Sequence, residues 1–526
     1  VICHVAADGF EERMVPFPVP SGSYRDLAVV KDGVVWIEVA DRGGELGATR
    51  AGVTGEAPSD VLWHYNLSAR HLDKLCERVD TFSVSGDGER LVVRHRDDTI
   101  VVPSSHKVDD DDPAYIRVDL TRLRRTVNPR AEWRQMFDEN GRLMASHYWR
   151  EDMNGVDWDS VLNRYRPLVD LCHVVDDLHD ILWETVAELN TSHSYVSVSG
   201  AAGDSDMRAG LLGADVSSGN DGAKVVRVIP GESSDPRAWS PLRAAGVAVT
   251  EGDVIVAVDG RKVGADGNLG ELLEGSAGRV VELTVRRGEN ERQVAVVPMA
   301  DEAPLRYHDW VASRRRYVEE HSGGRLGYLH VPDMVSDGWA ELHRQIGEAT
   351  RHEGVIADVR FNHGGHTSQL VVERLARRVV GWDYSRWYAT ADTYPQNAVR
   401  GPIVMVTNQW AGSDGDIVAA ATQAMGYAKV IGERSWGGVV GIDGRFDLVD
   451  GTSVTQPRYA GWYGSYGWGV ENHGVDPDIV VTVSPEDWEA DCDVQLDAAI
   501  AECLRQLDDK PAATAPELPG PAFDRC

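Results

Sequence analysis

The sequence predicts a multidomain α+β chain, and three observations carry that expectation. The length, 526 residues, is several times the roughly 100–200 residues of one ordinary domain. Apolar residues make up 42% of the chain, enough for several cores, and their spacing changes along it. They alternate in short runs up to residue 105 and recur every three or four residues from Val118 onward. Between residues 305 and 508 strand-like and helix-like segments take turns, the pattern of a βα-layered domain.

Residues 1–105 read as short strands. LAVVKDGVVWIEV (27–39) is two apolar runs around a Lys-Asp-Gly turn, and FSVSGDGERLVVRHRDDTIVVP (82–103) repeats the design with turns at SGDG and RDD. The spacing resembles propeller blades of about 40–45 residues each. There is room for about two, whereas closed propellers need at least four, so the segment is expected to be either a β-propeller-like remnant of a ring or a small β-sheet. Residues 106–207 are expected to be a solvated linker at the aspartate run Asp109–Asp112, then a helical subdomain built on AEWRQMFDENGRLMASHYW, DWDSVLNRYRPLVDLC and VVDDLHDILWETVAELN. Residues 208–300 resemble a PDZ domain. Leu211-Leu212-Gly213-Ala214 stands where the carboxylate-binding loop belongs, SPLRAAGVAVTEGDVIVAVDG predicts a helix and then a strand, and ELTVRRGENERQVAVVP predicts a hairpin. Such a domain pairs a peptide against a strand edge, or serves as a packing module with its groove occluded. Residues 301–510 hold the alternating strands GRLGYLHVP, GVIADVRF, GPIVMVTN and KVIGERSW with helices between them, and the Pro/Ala-rich 511–526 is expected to be a disordered tail.

Charge excludes some function classes. Lys+Arg of 53 against Asp+Glu of 84 gives −31. A chain this acidic is not expected to track a phosphate backbone or an anionic membrane surface. No run approaches the about 18 apolar residues of a membrane span, and the first 30 residues lack a signal-peptide core. The six cysteines, Cys3, Cys76, Cys172, Cys492, Cys503 and Cys526, form no CxxC and no metal spacing, which fits a reducing, cytoplasmic setting without a disulfide framework.

Chemistry concentrates in four segments. AGSDGD (411–416) follows a buried strand and precedes a helix, so Ser413 sits at a strand-to-helix turn with backbone N–H groups beside it, as a nucleophilic serine requires. The Asp414 N–H then faces the place where an oxyanion could form. GVIADVRFNHGGH (354–366) turns after a second buried strand, and its Gly365 N–H is the candidate second donor. A base is needed, and His193 in Thr191-Ser192-His193-Ser194, at the end of the helical block, is the best candidate. Glu471, in GVENHGVDPD, is the candidate third member. A structural serine cap, a surface histidine and a surface glutamate are the plain alternatives for these three residues.

The order His193, Gly365, Ser413, Glu471, with the phrases TSH, DVRFN-GG, AGSDGD, RSWGGVVG and VENHGVDPD, resembles the catalytic half of the tricorn proteases, relatives of the tail-specific C-terminal processing peptidases. The resemblance spans residues 115–508. It implies a crotonase-like αβ sandwich and a serine peptidase that cleaves short peptides, supplied by upstream proteolysis, through an acyl-enzyme. Ser413 would be the nucleophile and His193 the general base, oriented by Glu471 and Ser192, with an oxyanion hole from the Gly365 and Asp414 amides. It also implies that Asp383, in GWDYSR, selects Lys or Arg before the cut, that the pocket is completed by a neighbouring subunit of a homo-oligomer, a hexamer by resemblance, and that no cofactor is needed. One departure is His363, where the family usually has glycine.

Three other readings compete. A Ser–Lys protease of the tail-specific type needs a lysine in a phrase like FGKG. Gly438 stands at that point, and the nearest lysine is Lys429. A metal site from His363, His366 and His473 lacks the helical spacing that makes HExxH convincing. A non-catalytic PDZ scaffold would not react with a serine-directed phosphonate.

Overall fold

The computed structural model describes residues 17, 19, 22–40, 59–96, 98–124, 126–198, 207–264, 268–387, 389–443 and 446–518. Cys3 and Cys526 lie outside them, and the four cysteines within them are free thiols. The chain divides between Thr126 and Val127 into two compact units.

The first unit is antiparallel β. Strands β1 (Tyr24–Val30), β2 (Gly33–Glu38), β3 (Val61–Asn66) and β4 (His71–Glu77) form one four-stranded sheet in sequence order. Strands β5 (Thr81–Val84), β6 (Arg90–His95), β7 (Asp98–Pro103) and β8 (Ile116–Arg117) form a second sheet in the same way. Period-two alternation sends Leu91 and Val93 of β6 inward and leaves Val92 exposed. Val35, Ile37, Leu62, Leu75, Leu91, Val93 and Val102 close a single core between the sheets. The unit continues past the aspartate run, because β8 adds to β7 through Ile100↔Arg117 and Val101↔Ile116.

The second unit opens with helices α1 (Pro129–His147), α2 (Trp158–Val169) and α3 (Val175–Ala187). Asn128 and Asp157 cap α1 and α2 by accepting from the Ala131 and Ser160 amides. Their apolar stripes meet in a core of Met136, Phe137, Leu143, Met144, Leu178, Leu182 and Leu189, which also takes in Leu448 and Val454 from much later in the chain. A short strand β9 (Val196–Ser197) leaves this core.

Next come β10 (Ala214–Gly219), β11 (Gly222–Val228), β12 (Val254–Val258), β13 (Arg261–Lys262), the one-turn helix α4 (Leu269–Leu272), β14 (Val281–Arg287) and β15 (Asn290–Val296). They form a sheet of order β10-β11-β12-β14-β15, with β13 on β12, over a core of Val225, Ile255, Leu283 and Val285. The helix expected from residue 240 is a three-residue 3-10 turn, Pro241–Arg243. Ala244 is already extended and Gly246 has φ 84°, so the turn cannot propagate.

The remainder is layered. Helix α5 (Ala303–His321) leads into β16 (Leu326–His330), α6 (Ser336–Ala349), β17 (Gly354–Asp358), α7 (Ser368–Leu375), the hairpin β18 (Gly381–Asp383) and β19 (Asp392–Tyr394), then β20 (Ile403–Thr407), α8 (Asp414–Met425) and β21 (Ala428–Gly432). Short strands β22 (Gly441–Asp443), β23 (Ser453–Val454) and β24 (Gln456–Tyr459), then β25 (Ile479–Val480), α9 (Pro485–Glu489) and α10 (Val494–Asp509), complete the fold. Strands β16-β17-β20-β21-β25 make one wholly parallel sheet. Every residue of β16, β17 and β20 is buried, as expected for a sheet covered on both faces. Residues from α6, α7 and α8 fill one side and residues from α5 and α10 the other. Residues 511–518, expected to be disordered, are held in place. The Ala513 amide donates to the Arg400 carbonyl, and the Tyr384 hydroxyl donates to the Pro516 carbonyl.

Candidate active site

Three loops at the C-terminal ends of adjacent parallel strands build the site, where open α/β sheets collect ligands. After β20 the chain turns sharply and α8 begins, with Ser413 as the residue before its first turn. Ser413 has φ 57° and ψ −119°, a conformation that costs a non-glycine residue about 1–3 kcal/mol. The turn is pinned by the Gly412 amide donating to the Asn362 carbonyl (3.0 Å) and the Ile417 amide donating to the Ser413 carbonyl (3.1 Å).

The loop after β17 lies directly against that serine. The Asn362 side chain, fully buried, donates to the Val331 carbonyl and accepts from the Gly364 amide. A Cβ on Gly364, at φ 75°, would sit 2.5 Å from Ser413 Cβ, and one on Gly365, at φ 148°, would sit 2.1 Å from the Met334 carbonyl oxygen. Two glycines are therefore demanded by space as well as by backbone angle. The Gly365 and Asp414 amides have no acceptor among the described residues. His363 is exposed and its amide donates to the Pro332 carbonyl.

The base candidate comes from the helical block. After α3 the chain runs to β9, which pairs with β23 through Val196↔Val454 and Ser197↔Ser453. Thr455 fastens it further, its hydroxyl donating to the His193 carbonyl (2.6 Å) and accepting from the Tyr195 amide (2.7 Å). His193 Nδ1 lies 2.9 Å from Ser192 Oγ, which lies 3.1 Å from Glu471 Oε2. Glu471 also accepts from the amides of Ser192 (2.8 Å), Val439 (2.7 Å) and Val440 (3.0 Å). His193 is 7% exposed, and burial pushes its imidazole below the ordinary value while the Glu471 charge opposes.

Trp436 joins the two halves. Its ring stands edge-on to the His193 ring, centroids 5.6 Å apart, and its amide donates to the Ala411 carbonyl. A Cβ on Gly412, next to Ser413, would meet that indole at 2.8 Å. Ser413 and His193 share no hydrogen bond among the described residues. Bonds of this kind often tighten only around substrate.

Asp383 is exposed at the end of β18, paired across the hairpin with Asp392, and no bond links it to Ser413, His193 or Glu471. Lys429 is exposed and paired with Asp478 at 3.1 Å, and His473 Nε2 lies 2.8 Å from Asp476. In the PDZ-like sheet the Gly213 amide, within the candidate carboxylate-binding loop, donates to Glu302 of the same chain. Sequence reasoning missed Trp436, although RSWGGVVG was noted, and Asp416. Asp416 is wholly buried and accepts from the Ser435 hydroxyl and from the Gly437 (2.8 Å) and Gly438 (3.2 Å) amides.

Comparison with known proteins matches three segments. Residues 129–187 fit the tricorn protease C1 domain, 210–301 the tricorn protease PDZ domain and 325–481 peptidase family S41. Tricorn protease homolog 1 of Streptomyces coelicolor is 54% identical over 517 residues, covering 97% of this chain and 48% of the relative. The tricorn protease of Thermoplasma acidophilum is 34% identical over 498 residues, covering 94% of this chain and 46% of the relative. A crystal structure of the tricorn protease superposes with a TM-score of 0.85 at 32% identity, over 94% of this chain and 48% of the other. The chain thus spans about half the length of the relatives it matches.

Proposed function

The chain belongs to the tricorn protease family, and from that premise we propose that it is a serine peptidase that cleaves short peptides through an acyl-enzyme. One observation carries the reading: a relay of Glu471, Ser192 and His193 meets Trp436, which packs against the turn of a strained serine, and the nearby Gly365 and Asp414 amides have no acceptor among the described residues. In turnover Ser413 Oγ attacks the scissile carbonyl and His193 Nε2 takes its proton. The Gly365 and Asp414 amides receive the charge that forms on the carbonyl oxygen. His193 then returns the proton to the departing amine, and water, deprotonated by the same imidazole, releases the acyl group. Glu471, acting through Ser192, holds the ring and offsets the imidazolium charge.

The same reading makes the two meanders of residues 24–117 propeller blades and the layered domain crotonase-like. Asp383 selects Lys or Arg and is brought to the site by a neighbouring subunit of a cytoplasmic homo-oligomer that degrades peptides released by upstream proteolysis. Two observations favour the histidine route over Ser–Lys chemistry: Lys429 is exposed and paired with Asp478.

A fluorescent serine-directed phosphonate tests the assignment. We expect stoichiometric labelling of the wild type, none of Ser413→Ala, and a fall in peptide hydrolysis of about 10³-fold or more in that variant. Labelling or near wild-type hydrolysis by Ser413→Ala would remove Ser413 as nucleophile.

A further inference from the structure

Asp416 is an expensive residue to keep. Its side chain is completely buried, and among the described residues no cation pairs with it. An ionised carboxylate without a counter-ion costs stability, and burial pushes this one up to about 6 despite its donors. A carboxylate buried without a counter-ion beside the proposed nucleophile points to function.

Its partners show what it does. Asp416 lies in the first turn of α8, three residues past Ser413, and the Ser413 amide faces its carboxylate. Its other donors, the Ser435 hydroxyl and the Gly437 and Gly438 amides, all belong to the loop after β21. That loop holds the rest of the site. Trp436 meets the His193 ring, a Cβ on Gly438 would lie 2.9 Å from Ser192 Oγ, and Val439 and Val440 give their amides to Glu471. One carboxylate therefore fastens the nucleophile's turn to the loop that orients the base.

We infer that Asp416 is a positioning residue for the reaction, setting the register between Ser413 and the Glu471–Ser192–His193 relay by clamping residues 435–438 to the start of α8. This rests on the serine-peptidase reading above. A displacement of about 1 Å at a reacting centre can cost about 100-fold in rate, so the clamp acts on kcat rather than on substrate binding.

The test compares Asp416→Ala and Asp416→Asn with wild type and Ser413→Ala, as purified full chains. Phosphonate labelling is followed to completion, and kcat and KM are measured on one peptide. Asp416→Ala should label at least about 30-fold more slowly yet reach full stoichiometry, with kcat down in proportion and KM within about twofold. Asp416→Asn keeps an acceptor for Ser435 and Gly437 but turns an N–H toward the Gly438 amide, so it should fall between Ala and wild type. Its Tm at pH 8 should stay close to that of the wild type, because removal of the buried charge offsets the lost Gly438 bond. A purely structural role predicts the reverse: partial labelling amplitude at the wild-type rate, with a lowered Tm. Wild-type labelling rates in both variants, or a loss confined to amplitude, would overturn the inference. Labelling of Ser413→Ala would instead overturn the peptidase assignment beneath it.

Discussion

The Glu471 carboxylate accepts four hydrogen bonds, from the Ser192, Val439 and Val440 amides and from the Ser192 hydroxyl. Together they hold one charge near an imidazole that burial drives toward neutrality. In the proposed mechanism the general base must be neutral to accept the Ser413 proton, so activity should be lost as pH falls through the His193 pKa. Since that pKa is lowered from 6.5, the acid limb of kcat/KM lies below 6.5 in the wild type. Removing the Glu471 charge removes the influence that raises it. Glu471→Gln should therefore move the acid midpoint to lower pH while reducing kcat by about 10–100-fold, less than Ser413→Ala does. The check is a pair of pH profiles on one substrate. The Asp416 carboxyl, pushed up to about 6, adds an ionisation of its own to both profiles, so each is fitted with two and the midpoint followed is the one that remains in Asp416→Asn. A midpoint that stays in place or rises would show that Glu471 is not coupled to the base. At this scale Ser413 and His193 stood out as candidates because each lies among glycines or small hydroxyl residues that a simple core does not need, whereas Glu471 stood out through the family resemblance. Asp416 was in plain view within AGSDGD, but its role was not legible. Its donors from the loop after β21 lie 19 to 22 residues along the chain and only the fold brings them to it.

Loop elements set the approach between the loop after β17 and Ser413, and glycine is the means. Gly364→Ala would put a Cβ 2.5 Å from Ser413 Cβ at a φ of 75°, so either the serine or the oxyanion loop must move. The expected outcome is a loss of about 100-fold or more in phosphonate labelling rate, with a stability cost of about 1–3 kcal/mol from backbone strain. Labelling kinetics and thermal unfolding, measured together, check it, and a variant that labels at the wild-type rate would show that the contact with Ser413 is inconsequential. The strands behind these loops were readable from sequence because residues 355–357 and 403–406 are apolar runs followed by turn residues, as a doubly covered parallel sheet demands. The segment from residue 240 misled because alanine and leucine favour helix locally, while Gly246 and the packing of Leu242 and Val247 into the β core decide the outcome. Residues 511–518 misled for a related reason. Their Pro/Ala composition carries no sign of the Arg400 and Tyr384 contacts that fix them.

Across the whole molecule, the distribution of charge matters more than its sum. The −31 balance would draw basic peptides without choosing where they are cut, so the proposed preference for Lys or Arg needs a carboxylate at the scissile bond. Asp383 is the residue proposed for that role, yet in a single chain it is exposed on β18 and no bond links it to Ser413, His193 or Glu471. We propose that the carboxylate serves the site of a second copy. Asp383→Asn should then lower kcat/KM for peptides with Lys or Arg before the cut by about 5–150-fold, the worth of a desolvated carboxylate pair at about 1–3 kcal/mol, and leave apolar substrates unchanged. Mixing separates action in trans from action in cis. Ser413→Ala subunits have no nucleophile but an intact Asp383, and Asp383→Asn subunits have the converse. Co-assembled, they should recover part of the activity on basic peptides that neither has alone, because an intact Ser413 then faces an intact Asp383 on its neighbour. Recovery absent from mixed oligomers of verified composition would place Asp383 in its own subunit's site or outside any site. A uniform fall on both substrate classes in Asp383→Asn, with assembly intact, would remove it from the pocket altogether.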